Sequence, residues 1–107
     1  MGITKTSLFN DQQNRLAEYF KVLGHPARIA ILQYLIESNT CINGDLVKEL
    51  GLAQPTVSQH LKELKRLGII KGQVDGPAMC YCIHKENWEK VNQEVLGLFL
   101  RVTEKCC

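Results

Sequence analysis

Two apolar helical runs separated by only Gly51-Leu52-Ala53 constrain this chain more than any other feature. The first, Asp45 to Leu50, opens on a residue suited to an N-cap. The second, Gln54 to Leu67, has Pro55 in its first turn, where a missing N–H costs nothing. It carries Val57, Leu61 and Leu64 as a stripe at helical spacing. Gly68 follows, at the position past a helix end where glycine is favoured. Two helices joined by so short a glycine-containing turn read as a helix-turn-helix, with the second helix as the recognition candidate.

The flanks complete a small domain. Asn10-Asp11-Gln12-Gln13 offers N-cap candidates before Leu16, Tyr19, Phe20 and Leu23, so residues about 11–23 read as a helix that Gly24 ends. Pro26 opens a second helix whose Ile29, Leu32, Leu35 and Ile36 run to the polar break Ser38-Asn39. Thr40-Cys41-Ile42 is short and β-prone, and Asn43-Gly44 signals a turn. Downstream, Ile69–Val74 and Met79–Ile83 flank Asp75-Gly76-Pro77 as an antiparallel hairpin. In the last helix, about 86–103, Trp88, Val91, Val95, Leu98 and Val102 are spaced three and four apart, a coiled-coil-like seam that Leu96, Phe99 and Leu100 widen. The expected fold is mostly α, of α+β type. It is one winged helix-turn-helix domain over 1–107, with the helix-turn-helix at about 45–67 and the wing at about 69–84. The helices at about 11–23 and 86–103 form the seam of a homodimer.

Composition sets outer bounds. With 107 residues and 45% hydrophobic content there is material for one core, which needs no cofactor to fold. No stretch approaches the roughly 20 apolar residues of a membrane span, and Met1 to Lys5 lacks the apolar region of a secretory signal. A soluble cytoplasmic protein with no membrane partner is expected. The formal charge of +2, from 13 basic and 11 acidic residues, says little about polyanions, so charge placement must carry that argument.

With Val57, Leu61 and Leu64 inward, the other face of the recognition candidate presents Gln54, Thr56, Ser58, Gln59 and Lys62. Glutamine can pair with adenine, hydroxyls reach bases or phosphates, and a helix N-terminus attracts the phosphate itself. Lys62, Lys65, Arg66 and Lys71 gather basic charge on and after this helix, and Lys71, Gln73 and Asp75 place wing residues near the adjacent groove. Double-stranded operator DNA is the expected partner. His60 can touch DNA on this side or cap a neighbouring group. Arg28 can pair with a carboxylate or reach phosphate, and a structural role suits it better.

Two stretches carry a resemblance to a known family: Leu23-Gly24-His25-Pro26-Ala27-Arg28-Ile29-Ala30-Ile31-Leu32, and Gln54-Pro55-Thr56-Val57-Ser58-Gln59-His60-Leu61-Lys62-Glu63-Leu64 followed by Gly68. From Leu16 to Val102 the chain resembles the ArsR/SmtB family of metal- and metalloid-responsive repressors. The resemblance implies a dimeric repressor that leaves its operator when an inducer binds.

Five cysteines are many for a reducing compartment, and an odd number cannot all pair within one chain. Soft thiolates favour copper(I), zinc or trivalent arsenic, which makes Cys41, Cys80, Cys82, Cys106 and Cys107 candidate ligands. Arsenic-sensing members of the family look similar at Cys41 but carry a second thiol where this chain has Asn43. Cys80 and Cys82 sit two apart on a strand and share one face, outward if Tyr81 is core. Pairing of the Cys41 segment beside that strand would bring the thiols together. Cys106-Cys107 resembles a vicinal pair of some arsenic-responsive relatives. The family's His and carboxylate site on the terminal helix looks absent, because His84 stands alone before it. In the bland alternative, Cys41 is a small buried hydrophobe and the others are incidental.

Rival functions lack support of this kind. There is no glycine-rich phosphate loop, His-Glu-x-x-His motif or zinc tetrad, so an enzyme is not expected. A DNA-binding thiol redox or persulfide switch, and a regulator or adaptor without small-molecule input, remain the alternatives to metalloid sensing.

Overall fold

The structure, a computed structural model, describes residues 6–38, 42, 45–76 and 78–104. After a 3-10 turn at Thr6–Leu8 come α1 (Asp11–Leu23), α2 (Pro26–Ser38), α3 (Asp45–Leu50), α4 (Gln54–Leu67), β1 (Ile70–Asp75), β2 (Ala78–Ile83) and α5 (Lys85–Phe99). It is a winged helix-turn-helix, helical apart from the hairpin.

Local chemistry sets the helix ends. Asn10 caps α1 reciprocally: its Oδ1 accepts from the Gln13 amide at 2.8 Å, and its own amide donates to the Gln13 side chain at 3.0 Å. A Cβ at Gly24 would lie 2.8 Å from the Phe20 carbonyl, so a side chain there would press on the last turn. His25 starts α2, its Nδ1 accepting from the Ala27 amide. Gly68 closes α4 at φ +91°, a left-handed conformation that leaves its amide donating to the carbonyls of Leu64 and Lys65.

Val22, Ile31, Leu32, Leu35, Leu46, Val57, Leu61, Leu64, Ile69 and Ile70 form the core between α1–α4 and the base of the hairpin. In the hairpin Ile70 opposes Ile83, Gly72 opposes Tyr81 and Val74 opposes Met79, which places these six on one face. Lys71 and Cys82, then Gln73 and Cys80, line the other. Ile42 adds a bridge on the outer edge of β2, exchanging two backbone hydrogen bonds of 2.8 Å with Tyr81. Thr40, Cys41, Asn43 and Gly44, the rest of the expected first strand and turn, lie outside the described residues.

The terminal helix departs from expectation. It ends at Phe99 rather than near 103, and Val102 lies beyond it, 82% exposed. No glycine or proline marks that end; Leu100 simply closes the last turn through its amide. None of its residues is fully buried. Trp88 and Val91 pack partly on the core, while Leu96, Leu98 and Phe99 stay exposed. Arg15 of α1 reaches Glu94 of α5 at 2.6 Å, and the Phe20 and Phe99 rings meet at 5.8 Å between centroids. Among the described residues, no helix is long and apolar enough to cross a membrane.

Candidate nucleic-acid interface and thiol strand

Burial of Val57, Leu61 and Leu64 fixes the rotation of α4, and so Gln54, Thr56, Ser58, Gln59, Lys62 and Lys65 are all exposed. Gln54, Ser58, Lys62 and Lys65 follow one another by four, four and three residues, which lines them up on one stripe. Gln54 Nε2 donates to Ser58 Oγ at 3.0 Å within it. Ala53 precedes the helix and provides no side-chain cap. The first amides of α4 therefore keep their donors and the positive end of the helix dipole for an anion.

The basic residues divide into two groups. Arg66 is held by Glu18 of α1 at 2.7 Å and by Glu63 one turn back at 2.9 Å, so its charge is spent on docking α1 against α4. The Arg66 hydrogen bond holds the Glu63 carboxyl below its usual range. The described ion pairs include none of Lys62, Lys65 and Lys71, and all three are exposed. Lys71 and Gln73 stand on the exposed face of β1, beside the α4 stripe in sequence and turned to solvent.

His60 does not share the DNA-side surface expected for it. It is buried, its Nδ1 accepts from Arg28 Nε at 3.1 Å, and its ring lies 4.4 Å from that of His25. Burial, reinforced by the neighbouring His25 and Arg28 charges, pushes its pKa below the usual imidazole value. Positions 60 and 61 both fall within the stripe set by Val57 and Leu64, so spacing by three and four could have flagged His60 as inward. Arg28 also donates to the Val22 carbonyl at 3.0 Å, a structural role.

The thiols are placed differently from one another. Cys80 is buried and disulfide-bonded, whereas Cys82, on the same face of β2, is a half-buried free thiol. An outward pair was expected if Tyr81 were core. Instead Tyr81 is half-buried and Cys80 is the covered residue, on a strand against which α2 packs. Cys41, Cys106 and Cys107 lie outside the described residues. Among the described residues no three His, Cys, Asp or Glu side chains come together as a metal site. His84 is occupied as the cap of α5, accepting from the Asn87 amide at 3.2 Å.

Comparison with known proteins follows this geometry. Residues 25–71 match the family described as "Bacterial regulatory protein, arsR family". An uncharacterized HTH-type transcriptional regulator of Mycobacterium tuberculosis, Rv0081, is 43% identical over 67 residues, covering 63% of this chain and 59% of that protein. The chain thus matches under two thirds of that relative's length. Its crystal structure superposes with a TM-score of 0.66 at 36% identity, covering 87% of this chain and 96% of the solved one. An uncharacterized HTH-type regulator of Methanocaldococcus jannaschii is 37% identical over 73 residues, 68% of this chain and 82% of its own. The transcriptional repressor BigR of Xylella fastidiosa has a TM-score of 0.64 at 26% identity, covering 97% of this chain and 100% of that one. The relatives are regulators rather than enzymes, and with one helix-turn-helix, a wing and this span of similarity, the chain belongs to the arsR family of bacterial regulatory proteins.

Proposed function

We propose that the chain is a cytoplasmic, homodimeric, sequence-specific repressor that binds double-stranded operator DNA through α4 and the wing, and that thiol oxidation on β2 sets its affinity. The uncapped start of α4, with its exposed polar stripe and lysines that enter no ion pair among the described residues, carries the DNA reading. The exposed Phe20, Leu96, Leu98 and Phe99 on α1 and α5 support the dimer, as a seam that a second copy would cover.

The disulfide at Cys80 carries the choice of signal. Its strand presents Met79 and Tyr81 toward Gln54 and Ser58, so a covalent change at Cys80 acts on the angle between wing and recognition helix. The chemistry balances with a hydroperoxide. Two thiols lose two protons and two electrons to form the disulfide, and the hydroperoxide is reduced to an alcohol and water.

Capture of trivalent arsenic or another soft metal ion is the second reading. Free Cys82, on the same face as Cys80, favours it, since a reduced Cys80 would place two thiolates side by side. Fluorescence anisotropy with a duplex selected from a random library by the reduced protein separates the readings. Release by hydroperoxide, reversed by dithiothreitol, supports the switch. Release only by arsenite supports metalloid capture, and failure to select any duplex overturns the DNA reading.

A further inference from the structure

Between α3, α4 and the wing lies a cavity of about 200 Å³. Ile42, Leu46, Val47, Val57 and Leu61 make its apolar floor. Met79 and Tyr81 form one wall, and Gln54 and Ser58 stand at the rim. Gly72 lies under the wall: a Cβ there would lie 3.0 Å from Met79 Sδ and 3.3 Å from Tyr81 Cε1, so a side chain at this position would press both outward by a few tenths of an ångström.

Size and chemistry select an occupant. The pocket opens partly to solvent, and its volume, a little above the roughly 150 Å³ of an enclosed cavity that accepts benzene, limits a guest to a single ring with one small substituent. A thioether and a tyrosine ring on one side favour an aromatic guest over an aliphatic one. The rim supplies the polar end. The Gln54-to-Ser58 hydrogen bond uses one amide N–H and one hydroxyl lone pair, leaving Gln54 Oε1 to accept and the Ser58 hydroxyl to donate. A phenolic hydroxyl can do both. Among the described residues the lining has no charged side chain, which disfavours a carboxylate of the same size.

We propose that this cavity binds a neutral single-ring phenol, and that its occupancy opposes operator binding because Gln54 and Ser58 cannot hold the ligand and face base edges together. The second half rests on the DNA reading above; the first does not.

Phenol, toluene and benzoate, titrated into the full chain without DNA and followed by amide NMR shifts, test the site. Phenol is expected to saturate with a dissociation constant of about 1 mM or tighter, with toluene and benzoate about tenfold weaker. Val47→Phe, which fills the floor, is expected to weaken phenol about tenfold. Should that variant not fold, intermolecular NOEs from phenol to the Met79 and Val57 methyl groups in the unmodified protein decide the matter. Shifts that stay linear with phenol, or NOEs to residues elsewhere, overturn the proposal. Adding phenol to the anisotropy assay is then expected to lower operator affinity, and an unchanged affinity with saturable binding overturns the coupling alone. A chain that selects no duplex would sink the repressor reading and leave the NMR result standing.

Discussion

Arg28 Nε donates to His60 Nδ1 at 3.1 Å, and through that bond the first turn of α2 grips the buried side of α4. The same guanidinium holds the Val22 carbonyl at 3.0 Å, so three helices meet on one side chain. The bond requires a neutral imidazole, because a protonated Nδ1 would be a donor facing a donor.

Acid should therefore loosen the domain through His60. Its folded pKa lies below the unfolded value of about 6.5, so below that pH the unfolded chain binds more protons and stability falls. The loss begins as pH drops under about 6.5 and continues through the lowered folded pKa. Urea unfolding from pH 7.5 to 5 is expected to show this slope. His60→Gln, which keeps an acceptor for Arg28 without titrating, should flatten it. An identical slope in the variant would show that the loss arises elsewhere. Glu63 and Glu94, whose pKa values are lowered by their arginine partners, lose their contribution only at more acid pH.

Arg28→Lys should cost about 2 kcal/mol, since a lysine cannot hold both acceptors in the geometry of the fork and leaves at least one part-buried group unpaired. Urea midpoints at pH 7.5 check this. A change under about 0.5 kcal/mol would mean that water replaces the guanidinium freely.

Gly68→Ala should destabilise by about 1–2 kcal/mol. The backbone sits at φ +91°, and a Cβ would approach Asn87 Nδ2 to 3.1 Å. That amide already donates to the Gly68 carbonyl at 2.9 Å, so the start of α5 would shift with it. Thermal unfolding followed by Trp88 fluorescence reports both effects, because Trp88 packs against the core from α5. A midpoint equal to that of the unmodified chain would contradict the strain argument.

The ends of α1 and α4 were legible because local chemistry writes them: a capping box at Asn10, Pro55 in a first turn, glycine at a left-handed C-terminus. The exposed α4 stripe was legible for a related reason, since Val57, Leu61 and Leu64 fix one side and leave the other. What escaped depends on distant contacts. His60 and Leu61 both fit the buried stripe by spacing, but the partners that hold the imidazole inside, Arg28 and His25, come from α2 and the turn before it. Arg66 reads as part of a basic cluster until Glu18, 48 residues away, reaches it. Strand alternation puts Cys80 and Cys82 on one face but does not say that Cys80 alone is buried there, which depends on how distant elements such as α2 pack against β2.

On DNA, Gln59→Ala and Lys62→Ala should differ in kind. Gln59 is an exposed amide on the first half of α4, suited to a base edge, so its loss is expected to relax preference at one position by about 1–3 kcal/mol. Lys62 has no ion-pair partner among the described residues, so its loss should weaken all duplexes alike and lower the slope of log K against log salt by about 0.9. Equal losses on every sequence for both variants would mean that α4 does not lie in the groove.

Phe99→Glu should separate the protomers of the proposed dimer. Phe99 is 57% exposed, meets Phe20 across α1 and α5 with the rings tilted at 41°, and contributes nothing to the fully buried core, so the change should spare the fold of one chain. In a dimer the same position would be covered by the second copy, where an unpaired carboxylate is costly to bury. Analytical ultracentrifugation is expected to show a dimer for the unmodified chain at micromolar concentration and a monomer for the variant, with the far-ultraviolet circular dichroism unchanged. A variant that stayed dimeric would move the interface away from the α1–α5 seam, and a monomeric unmodified chain would remove the two-fold that a palindromic operator requires.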